Sequence, residues 1–201
     1  MKKNICCIVL LLYGICEVAM GQVKALDSVA PVYVGGKLPP AIYDVKNKVL
    51  TGGVLSEASL AKDFDKLIVI DFWASWCGSC LKKFPLLEKI QVQYPEDIKV
   101  LLVNSVGTGD STRSLMEKVK AGSAAGAVGE TGLSFVVEDK LFLSAFPHRA
   151  IPHYVWIIGG AVAGITSSDF LTEENIIMMV ERNRKHVLIA SKSKKNKKAG
   201  E

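Results

Sequence analysis

Cys77 and Cys80, in the stretch IDFWASWCGSC (residues 70–80), are the residues of this 201-residue chain best suited to chemistry. Two cysteines three apart can be a redox couple, half of a zinc site or a structural disulfide. Their setting bears on the choice. Leu67–Phe72 is a continuous apolar run with β-branched residues, the pattern of a strand buried on both faces. Beyond the pair, Leu81, Phe84, Leu86, Leu87 and Ile90 recur at helical spacing, with Lys82, Lys83, Glu88 and Lys89 on the other face. The cysteines therefore stand where a strand gives way to a helix. A thiol at a helix start faces unpaired N–H groups and the positive end of the dipole, which lower its pKa below the free value of about 8.5. The thiolate attacks disulfides, and a second cysteine one turn on can resolve the mixed disulfide. This geometry makes Cys77 the nucleophile and the shielded Cys80 the resolving thiol.

The other cysteines do not compete. Lys2 and Lys3 form a basic start, Ile5–Met20 is apolar apart from Glu17, and Ala19 and Gly21 supply small residues for a cleavage site before Gln22. Residues 1–21 are expected to be a signal peptide. The run is short for a membrane anchor and carries a charge. A lipoprotein reading would acylate Cys16, but the bulky Ile15 before it fits such a site poorly. Cleavage removes Cys6, Cys7 and Cys16, so Cys77 and Cys80 remain as the only two thiols, in an exported compartment that permits disulfides. No wider disulfide framework can claim them.

The chain is 49% hydrophobic and 22% charged, enough for one domain to bury its own core. Its net charge of +5 is concentrated at the ends. Without the leader, and without the five lysines and one glutamate of residues 191–201, the segment 22–190 is neutral. The tail SKSKKNKKAGE is expected to be disordered and solvated. Nothing beside it suggests nucleic-acid binding.

The elements that must position the cysteines are legible in outline. Residues 22–66 carry turn signals at Gly35-Gly36, Pro39-Pro40, Asn47 and Gly52-Gly53, implying a hairpin or irregular extension. Leu67–Phe72, the helix after Cys77 and a second buried strand at Ile98–Val103 form a βαβ unit. Ser111–Lys120 reads as a helix capped by Asp110 or Ser111. Residues 121–132 form a small-residue loop without the residue order of a phosphate loop. A short strand at Leu133–Val137 and a short helix at Lys140–Phe146 precede two strands, Tyr154–Ile158 and Ala161–Thr166, joined by Gly159-Gly160. Leu171–Leu188 closes the domain as a helix with Thr172, Glu173 and Glu174 at its start and basic residues near its end.

VIDFWASWCGSC resembles the active-site strand, turn and helix start of the thioredoxin superfamily. Pro85, five residues after Cys80, matches the proline that kinks the family's active-site helix. Ile151-Pro152 before a strand resembles its cis-proline loop, and Asp71 stands where the family has a buried carboxylate. The leader, the WCxxC followed by KKFP, and the long stretch before Pro152 look most like exported TlpA/ResA-like thiol-disulfide oxidoreductases. The resemblance covers residues 31–188. It implies an α/β fold, a thioredoxin-like mixed β-sheet flanked by helices on both faces with an insertion before the cis-proline loop.

It also implies roles. Cys77 and Cys80 exchange disulfides, and Asp71, its pKa raised by burial, handles the Cys80 proton. Trp76 joins a docking surface, with Trp73 a core filler otherwise. Ile151 and Pro152 offer backbone to a substrate strand and keep metal from the thiols. Gly78 and Ser79 stand where thioredoxin has Gly-Pro, so the direction of electron flow stays open, with net reduction favoured. The redox-active Cys77–Cys80 disulfide would be the only redox group, with no other cofactor and no resident metal. Expected partners are protein thiols or disulfides and an upstream electron donor, with no stable membrane insertion after cleavage and a monomeric state. Two alternatives remain: a zinc site of Cys77, Cys80, His148 and His153, and a redox-inactive binding module of the same fold.

Overall fold

The computed structural model describes residues 29–121 and 127–199. The expected leader with residues 22–28, residues 122–126 of the small-residue loop and the last two residues lie outside them. Among the described residues the strands form one seven-stranded sheet, ordered β2-β1-β5-β4-β3-β6-β7. They are β1 (Asn47–Thr51), β2 (Val54–Ala58), β3 (Leu67–Phe72), β4 (Ile98–Ser105), β5 (Phe135–Asp139), β6 (His153–Ile158) and β7 (Ala161–Thr166). The helices are α1 (Ala41–Asp44), α2 (Gly78–Leu81), α3 (Phe84–Gln93), α4 (Thr112–Lys120), α5 (Ala127–Glu130), α6 (Leu141–Ala145) and α7 (Glu173–Ala199).

β3 lies near the middle of the sheet, parallel to β4 and antiparallel to β6, and every one of its residues is buried. Its apolar run, interrupted only by Asp71, follows from that position, since both of its faces are covered. Leu67 and Val69 pack with Phe84, Leu87 and Ile90 of α3 and Ile176, Met179 and Val180 of α7. Ile68, Ile70 and Phe72 pack on the other face with Ile42 and Tyr43 of α1 and Phe142 and Ala145 of α6. Alternation along the strand thus supplies two cores, one on each side of the sheet. Helices cover both faces, as the resemblance implies.

The expected hairpins are both present. β1 and β2 pair around Gly52-Gly53, and β6 and β7 around Gly159-Gly160, with positive φ at all four glycines. Ser111 caps α4 through a reciprocal pair of bonds with Ser114. Two expectations fail. Ala127–Glu130, inside the expected small-residue loop, forms the short helix α5. The lysine-rich segment from Ser191 is not disordered but continues α7 to Ala199, with Ser191–Lys197 exposed. No glycine or proline interrupts the stretch before Gly200. Lysine and alanine are good helix formers, and cations suit the negative end of the dipole. Thr172 caps the other end, its hydroxyl accepting from Asn175 N at 3.2 Å.

Candidate active site

The chain leaves β3 at Phe72, turns through Trp73–Trp76 and starts α2 with Cys77 as its N-cap. Cys77 Sγ accepts a hydrogen bond from Cys80 N at 3.3 Å and lies 3.5 Å from Ser79 Oγ. Cys77 and Cys80 are joined as a disulfide. Both are buried, Cys77 at 5% exposure and Cys80 fully enclosed, so Cys77 is less open than an exposed nucleophile would be but remains the outer of the two. After Leu81 the helix breaks at Lys82–Lys83 and restarts as α3, with Pro85 in its first turn. Proline has no N–H to give the carbonyl four residues back, so the break falls there.

The turn before Cys77 is held from outside. Asp110 accepts from Ser75 N at 2.7 Å, from the Ser75 hydroxyl, and from Asn104 Nδ2 at 2.8 Å. Asn104 Nδ2 also reaches Trp73 O, and Thr108 Oγ1 donates to Asn104 Oδ1 at 3.1 Å. Trp76, 66% exposed, is anchored only at its edge, where Nε1 donates to Thr108 O at 2.7 Å. The loop after β4 therefore clamps residues 73–76. The sequence reading missed Ser75, Asn104 and Thr108, and took Asp110 only as a helix cap, a task that Ser111 performs. Trp73 is a core residue, packed against Phe84 and Phe135.

Behind the disulfide lies Asp71, fully buried, with both carboxylate oxygens unpartnered among the described residues. Burial pushes its carboxyl well above the ordinary carboxylate range. The Ile151–Pro152 bond is cis. Pro152 precedes β6, whose first residue, His153, stands opposite Phe72 at the end of β3. That register brings the cis-proline to the end of the sheet where Cys77 begins its turn, and Ile151 packs against the core cluster that contains both cysteines. A groove runs between Trp76 and Thr108 on one side and His148–Ile151 on the other.

The zinc alternative does not fit. His148 and His153 stack on each other at 4.6 Å, and both rings pack against Phe72. Alternation along β6 sends His153 to the Phe72 face, whereas Cys77 and Cys80 belong to the core on the opposite face. His148 Nδ1 is 2.9 Å from Phe146 O, and burial, aided by the neighbouring His148, lowers the His153 pKa to about 4. Among the described residues no three His, Cys, Asp or Glu side chains are placed to share a metal ion.

The thioredoxin family model matches residues 55–119, which include the clamped turn, both cysteines and Asp110. Thioredoxin 1 of Nostoc is 34% identical over 90 residues, covering 39% of this chain and 84% of the Nostoc protein. The chain belongs to the thioredoxin family. The Cys77–Cys80 pair, the helix broken ahead of Pro85 and the cis-proline are all in place. Thioredoxin-1 of Saccharomyces cerevisiae is 45% identical over 53 residues, 26% of this chain and 52% of its own. Against that relative the match spans about half the length. Among solved structures, the exposed lipoprotein thioredoxin of Streptococcus pneumoniae superposes with a TM-score of 0.56 at 20% identity, over 69% of this chain and 99% of its own. At that identity the likeness speaks for the fold.

Proposed function

We propose that this protein is an exported, TlpA/ResA-like thiol-disulfide reductase acting on protein disulfides, with Cys77 as nucleophile, Cys80 as resolving thiol and Asp71 as proton acceptor. The observation that carries the reading is the graded dithiol: Cys77 at the edge, Cys80 enclosed, and a buried carboxylate on the strand beneath them. In the reduced protein the Cys77 thiolate attacks a substrate disulfide. One substrate sulfur leaves with the electron pair and takes up a proton, and a Cys77–substrate mixed disulfide forms. Cys80 then gives its proton to Asp71 and attacks Cys77 Sγ. The Cys77–Cys80 bond forms, and the second substrate sulfur leaves as a thiolate that is protonated from solvent. The substrate is reduced by two electrons and the dithiol is oxidised; Asp71 returns its proton to solvent. An upstream dithiol donor must then regenerate the pair.

Ile151, Pro152, Gly78 and Trp76 suit the substrate side of this reaction. Trp76 and Ile151 line one groove, Pro152 follows Ile151 through the cis bond, Gly78 follows Cys77 in α2, and the Ser79 hydroxyl lies 3.5 Å from the Cys77 sulfur. Export is supported by the basic-apolar leader pattern. Among the described residues no helix is long and apolar enough to cross a membrane. The test is the reduction potential of the Cys77–Cys80 couple, measured by equilibration with glutathione. A value near about −270 mV fits a reductase, and one near about −120 mV reverses the direction.

A further inference from the structure

Asp71 has a neighbour that the exchange reaction has not yet used. In the antiparallel pairing of β3 with β6, Tyr154 stands directly opposite Asp71, so both side chains project from the same face of the sheet. That is the face of Trp73, Cys77 and Cys80. Both residues are fully enclosed. Tyr154 Oη and both Asp71 oxygens are buried without a hydrogen-bond partner among the described residues. Buried polar atoms are nearly always partnered, by protein or by internal water, because an orphan keeps the full cost of leaving solvent. Here a donor and an acceptor are orphaned side by side. On the other flank of β3, the residue opposite Asp71 is Leu102, which offers nothing polar.

We infer that Tyr154 is a positioning residue for Asp71, its hydroxyl linked to the carboxylate through one internal water. This rests on the proposed role of Asp71 as the proton acceptor for Cys80. A hydrogen bond from a neutral hydroxyl is stronger to the ionised carboxylate than to the acid. Tyr154 therefore holds part of the Asp71 population ionised, which burial alone would suppress. Tyr154 itself remains a donor throughout the working range, since burial and the adjacent Asp71 charge both raise its pKa. The hydroxyl stays outside the sulfur chemistry and acts only through the carboxyl that receives the proton. Tyr154 shares its core cluster with Trp73 of the turn, Cys77, Cys80 of α2 and apolar Leu102 of β4, and among the described residues of that cluster the two cysteines are the other groups that ionise.

The test is Tyr154→Phe, which keeps the ring in the core and removes only the hydroxyl. The Asp71 carboxyl is titrated by 13C NMR in the reduced full chain, alongside the pH dependence of mixed-disulfide resolution. The expected result is an upward shift of about one pH unit in the Asp71 midpoint, with the midpoint of the resolution rate moving by the same amount. In an Asp71→Asn background, adding Tyr154→Phe leaves the rate profile unchanged. An Asp71 midpoint that is the same with and without the hydroxyl overturns the inference. The NMR titration separates the two failures. A shifted midpoint in a protein that exchanges no disulfides refutes the proposed function and leaves the pair standing; an unshifted midpoint in an active protein refutes the pair alone.

Discussion

The two sides of the disulfide are built on opposite plans. In front, Ser75, Asn104, Thr108 and Asp110 are fastened to one another, to the Trp73 carbonyl and to the Trp76 indole. Behind, Asp71 and Tyr154 are enclosed in an apolar core with no bond to any described residue. The front is a frame: bonded polar groups fix where the Cys77 sulfur sits. In the proposed mechanism the back is a proton site: a carboxyl whose proton affinity burial raises would gain and lose a proton as the sulfurs change state. Geometry and proton affinity are thus controlled by separate sets of residues, so substitutions on the two sides should fail in different ways.

The largest effect comes from removing the sulfur that both sides serve. Cys77→Ser is expected to abolish insulin reduction in a turbidity assay while leaving the fold intact. The redox-inactive binding module becomes the better account if activity persists.

Removing the rear carboxylate comes next. Asp71→Asn is expected to slow mixed-disulfide resolution by about 100-fold near neutrality, read by stopped-flow quenching, with the first attack by Cys77 little changed. Its stability should change in the other direction. The unfolded carboxyl titrates near 3.8 and the folded one well above it, so the unfolded chain loses its proton first. The stability contributed by neutral Asp71 is complete below that unfolded value and is lost as pH rises through the folded one. Asn stays neutral, so thermal melts should show the variant gaining on the wild type from about pH 4 upward. A constant gap across pH would break the contrast between the two sides.

On the front side, Asp110→Ala leaves the Ser75 and Asn104 donors without their acceptor. The expected cost is about 2 kcal/mol, read by urea denaturation, with no shift in the pH midpoint of resolution. A shifted midpoint would show that frame and proton site are not separate. The smallest effect is at the rim. Trp76→Ala should leave stability within about 0.5 kcal/mol of wild type and raise KM for a protein substrate several-fold, with kcat for a small disulfide unchanged.

The dithiol and its supporting strand could be read from the sequence because their signals are local. Five apolar residues in six mark β3, the Cys-x-x-Cys spacing marks the turn, and Gly159-Gly160 marks the last hairpin. The identity of Pro152 as the cis-proline needed the family resemblance as well, since one X-Pro pair looks like another. The front clamp was not legible. Asn104 and Asp110 are ordinary polar residues until tertiary folding brings them against Ser75, which lies 35 positions before Asp110. The Asp71–Tyr154 pair was hidden for a related reason: it depends on the β3–β6 register, and shifting that register by one residue would have placed His153 or Val155 there instead. The tail was misread because lysine-rich composition describes both a solvated coil and a solvated helix; its attachment to α7 without an intervening breaker decides between them.

The central claim is that Cys77 takes the substrate and Cys80 releases it. Cys80→Ser, reduced and then exposed to a disulfide-bonded protein substrate, leaves the first step without a second. Non-reducing electrophoresis followed by peptide mass spectrometry should then find a long-lived adduct with the substrate cysteine attached at Cys77, while Cys77→Ser treated in the same way forms none. The account is contradicted if Cys80→Ser traps no adduct, or if the adduct forms instead on Cys80 of the Cys77→Ser variant.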